Sequence, residues 1–274
     1  MNLLVGAGIV VFVTAFSVIA MLLNRRRAPE GSWFQDGDRA SGVFGVLATG
    51  FSVLLGFIVF LSFATYDGSR SGAEDEAVIL TQQVETAQYF EPSVAEEITG
   101  ELVCYGRSVA GEEWDQLEQG TLGDSINPWS AAMFQTLHEY EPATATEQSA
   151  YDRWMDQTIA RQDARNERIH GVNGVIPTPL WIVLFFVSAV IFVFMLFFGD
   201  SNEGPMTQAM LMGSVTSVIT ILLLLLVFFN QPFQDDVGGL QPDSMERSLR
   251  IIDGQIESEL ISIDPPCDEA GRAV

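Results

Sequence analysis

Four apolar stretches, at 2–23, 43–66, 177–198 and 207–229, each run for twenty or more residues without Asp, Glu, Arg, Lys or His. A helix rises about 1.5 Å per residue, so each is long enough to cross a hydrocarbon core of about 30 Å. A backbone in lipid must satisfy its own hydrogen bonds, which makes helices the expected spanning structure. The fold class predicted is therefore an all-α integral membrane protein, with four transmembrane helices in two pairs and a helical acidic domain between the second and third. In segments, these are a first helix (1–24), an Arg-containing loop (25–42), a second helix (43–66), the acidic domain (67–176), a third helix (177–199), a short loop (200–206), a fourth helix (207–230) and an acidic tail (231–274).

The formal net charge of −23 is distributed unevenly. The first loop sets Arg25, Arg26, Arg27 and Arg39 against Glu30, Asp36 and Asp38 and nets +1, while the 200–206 loop holds only Asp200 and Glu203. That leaves −22 on the acidic domain and tail, which share one side of the membrane after four crossings. Such a surface repels nucleic acid. The first stretch lacks a basic leading region and a small-residue cleavage signal, so it reads as a retained anchor rather than a signal peptide. Its Gly6 and Gly8 follow no strand and serve helix packing rather than a dinucleotide loop.

The Arg25–Arg27 run places the first loop in the cytoplasm by the positive-inside rule, although Arg70, Arg161, Arg165, Arg168, Arg247 and Arg250 flank the other side. Cys104 and Cys267, the two cysteines, fall on that other side together. They are either a disulfide of an oxidising compartment or two separate thiols. The signals together favour a multi-pass cell-membrane protein whose acidic domain and tail are extracytoplasmic.

The acidic domain reads as helical throughout. Ala77, Leu80, Val84 and Ala87 follow the acids Glu74–Glu76 at helical spacing, continuing the second membrane helix with Gly68 and Gly72 as a kink. Ser93 with Glu96, and Thr144 with Glu147, have capping-box spacing, and Asn127-Pro128 reads as an N-cap followed by a first-turn proline. Tyr151, Trp154, Met155 and Ile159 mark the apolar side of the last helix in the domain.

Inside the membrane, Gly45, Thr49, Ser52 and Gly56 align on the second helix, and Gly213, Thr216, Ser217 and Thr220 on the fourth. Small and hydroxyl-bearing faces pack helices closely in lipid, and the same faces line pores gated by dewetting. The absence of ionisable residues from all four spans disfavours a proton relay, voltage sensor or coupled pump. Arg161, Arg165 and Arg168 share one face just before the third helix. They either pair with Asp163, Glu167 and neighbouring acids or collect anions at a pore mouth. Glu74–Glu76 and Asp235-Asp236 read as solvated acids without the spacing of a cation loop. With His138 and His170 the only histidines and no nucleophile elbow or phosphate loop, neither a metal site, a cofactor nor an enzyme is expected. Glu112 and Glu113 read as exposed, with Trp114 as an anchor.

Taken in order, Tyr66-Asp67, the Glu74–Glu76 helix start, Cys104-Tyr105-Gly106-Arg107, Glu112-Glu113-Trp114, Pro179-Leu180-Trp181 and Gln231-Pro232-Phe233 resemble the bestrophin-like domain family of bacteria, over about 43–253. Its name marks a distant similarity to bestrophins, pentameric anion channels with four membrane helices per subunit. The resemblance implies a homo-oligomeric pore walled by the second helix, with Ile58, Phe60 and Phe63 as constriction residues. Two features depart from bestrophins. Only Asp235-Asp236 stands where animal bestrophins carry a long acidic calcium clasp, and bestrophins keep the middle domain cytoplasmic. The alternative function is a non-conducting membrane receptor or scaffold whose acidic domain binds a partner.

Overall fold

The computed structural model describes residues 3–27, 33–34, 36–121, 126–199, 203–235, 237–258 and 263–274. Glu30, Asp200 and Asp236, named above for their charge, lie outside the described residues. The described residues form α1 (Leu3–Arg27), α2 (Gly37–Ala87), α3 (Pro92–Ser108), a π-helical turn (Val109–Glu113), α4 (Trp114–Glu118), α5 (Pro128–His138), α6 (Ala145–His170), α7 (Thr178–Phe197), α8 (Pro205–Phe229) and α9 (Asp243–Glu257). No strand occurs among them. Helices α1, α2, α7 and α8 are the ones long and apolar enough to cross a membrane.

The chain divides into two compact units. Unit 1 comprises Met1–Thr65 and Gly174–Gln231, and unit 2 comprises Tyr66–Asn173 and Pro232–Val274. In unit 1, α1 packs against α7 and α8. The small face of α8 is used here, because a Cβ at Gly213 would meet Thr14 and Val18 of α1 at 3.5 Å. A second seam buries Phe51, Leu55 and Ile58 of α2 with Leu184 and Ile191 of α7 and Leu226 of α8. Beyond α8, the Asn230 side chain accepts the backbone N–H groups of Val175 and Ile176, at 3.0 and 3.1 Å, and so ties the start of α7 to the end of α8.

Unit 2 is built around α3, whose residues from Ile98 to Gly106 are all buried. Leu80, Val84, Ile98, Leu102, Trp154 and Ile252 belong to its core. Two of the three expected caps form. Asn127 accepts from the Trp129 N–H at 3.0 Å, and Thr144 accepts from the Glu147 N–H at 3.2 Å. Ser93 with Glu96 does not, because Pro92 takes the first helical position with its fixed φ and no N–H. The Ser93 hydroxyl donates instead to the Glu91 carboxylate.

The helix of the acidic domain continues directly from the second membrane helix, since α2 is unbroken from Gly37 to Ala87. Gly72 serves a crossing. A Cβ there would lie 2.5 Å from the Arg168 N and 2.7 Å from the Ala164 O, both backbone atoms of α6. Only a residue without a side chain lets the two helices approach so closely. Gly72→Ala should therefore force α6 outward and destabilise unit 2 by about 1–3 kcal/mol, which thermal unfolding would measure.

The tail carries a helix that charge alone concealed. In α9, Met245, Ser248 and Ile252 are buried, and the Ser248 hydroxyl donates to the Ala77 carbonyl at 2.8 Å. After α9, Cys267 is joined to Cys104 of α3. The Trp129 indole N–H donates to the Gly271 carbonyl at 2.6 Å. Gly271 has φ +77°, and a Cβ there would lie 2.3 Å from the Ser108 N, so both conformation and proximity demand glycine.

Candidate functional site

Among the described residues, unit 1 leaves one small-residue face of α2 uncovered. Gly45, Thr49, Ser52 and Gly56 are all exposed, and nothing described lies within 4 Å of a Cβ built at Gly45 or Gly56. The Ser52 hydroxyl turns back to the Ala48 carbonyl at 2.8 Å. At about 100° per residue, Phe60 and Phe63 continue the same stripe, and they are 63% and 45% exposed. The Phe63 ring meets Phe229 edge-on at 5.4 Å. Ile58 does not belong with them. It is 3% exposed in the seam with α7 and α8, because it stands about 140° around the helix from Gly45.

Unit 2 contains a buried charged network assembled from three separate stretches of sequence. Arg168 of α6 donates from Nε to Glu76 Oε2 of α2 at 2.5 Å and from Nη2 to Glu113 Oε2 of the π turn at 2.9 Å. Arg165 reaches the other Glu113 oxygen at 3.1 Å, and Asn127 donates to that oxygen at 2.8 Å. The Tyr105 hydroxyl donates to Glu76 Oε1 at 2.5 Å. Arg161 lies over the Tyr105 ring, 4.4 Å from its centroid. Burial alone would push the Glu113 carboxyl up, but Arg168 and Arg165 outweigh it and hold the group below its ordinary value. Burial also opposes the charge on Arg168, yet Glu76 more than restores it and the net shift is upward. Tyr105 is driven well above its ordinary range by burial and by Glu76, so it remains a neutral donor.

These positions correct the surface reading of the arginines. Arg161 and Arg168 are 1% and 0% exposed; Arg168 pairs with Glu76 and Glu113 and Arg165 with Glu113, so the pairing with acids of neighbouring elements forms, although not with Asp163 or Glu167. They are held inside unit 2, where they cannot collect solvent anions. Glu76 and Glu113, read as solvated, are buried for the same reason. Glu74 does remain at the surface, paired with Arg70 at 3.0 Å. The inward line of α6 is Ala150, Trp154, Gln157, Arg161, Ala164 and Arg168. Met155 and Ile159 lie off that line and are exposed.

A further acid sits between α3 and α5. The Thr136 Oγ1 lies 3.3 and 3.4 Å from the two Glu101 oxygens and 3.4 Å from Glu97. Burial and the neighbouring Glu97 charge push the Glu101 carboxyl up to about 7. Folded chains thus hold a proton that unfolded chains release at the ordinary carboxylate value, near 4.3. The contribution of Glu101 to stability should be fully present below that value and be lost as pH rises toward 7, the reverse of an ion-paired acid. Melting curves from pH 4.5 to 8 should show the decline, and Glu101→Gln should flatten it.

A search of curated proteins finds no match for this chain. A family profile does, however: the bestrophin-like domain matches residues 11–242. The chain belongs to the bestrophin-like family. Solved structures share its fold. A crystal structure of a bacterial bestrophin homologue from Klebsiella pneumoniae, carrying a point mutation, is 13% identical, with a TM-score of 0.69 over 90% of this chain and 99% of that one. Another structure of a bestrophin homologue from the same organism is 12% identical, with a TM-score of 0.66 over 89% and 98%. A crystal structure of a membrane protein variant is 14% identical, with a TM-score of 0.67 over 90% and 99%. The family and its apolar helices make this chain a multi-pass membrane protein, and at such identities the structural likeness is one of fold.

Proposed function

We propose that this bestrophin-like chain is one subunit of a homo-oligomeric ion pore, with α2 as the wall and Phe60 and Phe63 at the constriction. One observation carries the reading. Unit 1 fills the small face of α8 with α1 but leaves the small face of α2 uncovered, although both have the same character. A helix that presents Gly, Thr and Ser outward and then two Phe along one stripe suits a symmetric assembly around an axis, with hydroxyls toward a wet path and a ring of Phe that gates by dewetting. The similarity of the family to bestrophin anion channels makes small anions the first permeant species to test. The interior arginines leave selectivity to the α2 stripe rather than to a ring of guanidinium groups. On this reading the chain works by conduction, without catalysis or a cofactor.

Purified protein should run as a ring-shaped oligomer by mass measurement and conduct after reconstitution in planar bilayers. Phe60→Ala with Phe63→Ala should raise the unitary current, and Gly56→Leu should lower it, with reversal potentials in a salt gradient giving the preferred ion. A verified ring that passes no current would overturn the pore. A monomer in detergent would favour the receptor or scaffold reading instead.

A further inference from the structure

Between α2 and α9, unit 2 holds an open groove of about 760 Å³. Of its apolar lining, Val78 of α2 and Ile251 of α9 stand 52% and 48% exposed. Its charged lining is Arg70 and Glu74 from α2 with Asp243 and Arg247 from α9, which sum to zero. Neutrality sets this groove apart, because the acidic domain and tail that make up unit 2 carry −22. Elsewhere in unit 2, Asp152, Met155, Asp156, Ile159 and Asp163 of α6 are all exposed. At about 100° per residue they share an arc of about 100°, opposite the inward line, so two apolar side chains stand among three carboxylates. A helix with such a face docks into a groove of matching polarity. The lengths agree: Asp152 to Asp163 spans about 17 Å of helix, and the α2 side of the groove, Tyr66 to Gln82, about 24 Å.

Resting on the homo-oligomeric reading above, we propose that the α2–α9 groove of one copy receives this α6 face from the next copy. Copies of a domain with a charge of −22 repel one another wherever acid meets acid. The neutral groove is where an acidic face meets the least repulsion, and Arg70 and Arg247 there supply partners for Asp152 and Asp156. Met155 and Ile159 are covered in the same step by Val78 and Ile251. The groove also adjoins the face already assigned to the assembly. On the unbroken α2, Arg70, Glu74 and Val78 continue at helical spacing the exposed stripe that runs through Gly56, Phe60 and Phe63. Groove and ridge are different surfaces, so the contact is heterologous, and repeated around an axis it closes a ring.

The test uses the full chain in detergent, with its mass measured against protein concentration. Arg247→Glu alone, or Asp156→Arg alone, should raise the concentration at which half the ring has dispersed by about tenfold or more, and the two together should restore it. Arg153→Glu, an exposed change outside the α6 arc, should leave the ring intact. Val78→Cys with Ile159→Cys in one chain should give, on mild oxidation, a ladder of interchain disulfides longer than the dimer that either single variant could form. Rings unmoved by either swap, or swaps that the pair does not reverse, would overturn this surface and leave the oligomeric pore standing. A parent chain that is monomeric at every concentration would overturn both. If a charge variant does not fold, the cysteine pair decides: a ladder supports the surface, and its absence removes it.

Discussion

Glu76→Gln should destabilise unit 2 by about 3–5 kcal/mol, the range for removing one partner of a buried ion pair. The carboxylate it removes accepts two hydrogen bonds from Arg168 and one from Tyr105, and all three side chains are buried. A neutral carboxamide can replace the geometry of one acceptor but not the charge, so Arg168 would be left to Glu113, which Arg165 already shares. Arg168→Met should cost a similar amount by leaving Glu76 with only the Tyr105 hydroxyl. Replacing both at once, Glu76→Leu with Arg168→Met, should recover much of the loss, because an apolar pair of comparable volume has no charge to desolvate. Tyr105→Phe removes one hydrogen bond to a carboxylate and should cost about 1.5–3 kcal/mol. Thermal unfolding reads all four, and adding Glu76→Leu alone closes a double-mutant cycle with Arg168→Met and the double variant. A Glu76→Gln protein within about 1 kcal/mol of the parent would show that the network is not what holds α2, α6 and the π turn together.

The membrane helices were legible because hydropathy over twenty residues is a one-body property, owed to lipid rather than to any partner in the chain. The network was not legible, because its pairs are set by chain crossings 92 and 55 residues apart in sequence. The three arginines did announce a shared face, yet charge suggested that the face was outward. The better signal was Trp154 and Ala164 on the same line, which is the composition of a buried side. Gly72 illustrates a similar limit. Its lack of a side chain was visible, but whether it bends a helix or admits a neighbour depends on what crosses it. In α9 the acids hid the pattern, although Met245, Ile252 and Ile256 already sat at helical spacing. The uncovered α2 stripe lies between these cases. Its small residues were visible in sequence, and only the packing of α1 on α8 separates a face already used from one left open.

Reducing the Cys104–Cys267 bond, or replacing either cysteine by Ser, should give the largest single loss of stability. The bond closes a separation of 163 residues, for which loop-closure entropy in the unfolded chain amounts to about 5 kcal/mol. Over a protein of this size, that corresponds to a fall in melting temperature of roughly 10–20 °C. The contacts it anchors should loosen with it. Residues 263–274 are held by the Trp129 to Gly271 hydrogen bond and the close approach of Gly271 to Ser108, with few buried apolar side chains of their own. Limited proteolysis should then release the tail from the reduced protein before unit 2 itself unfolds. The same cysteines report sidedness. A bond that persists in cells requires an oxidising compartment, so we expect unit 2 to be extracytoplasmic. A membrane-impermeant maleimide applied to intact cells should label Cys104 and Cys267 only after an impermeant reductant. Unreduced protein that labels readily in lysed cells alone, with no change in melting on adding reductant, would place unit 2 in the cytoplasm with two free thiols and reverse the orientation drawn from Arg25–Arg27.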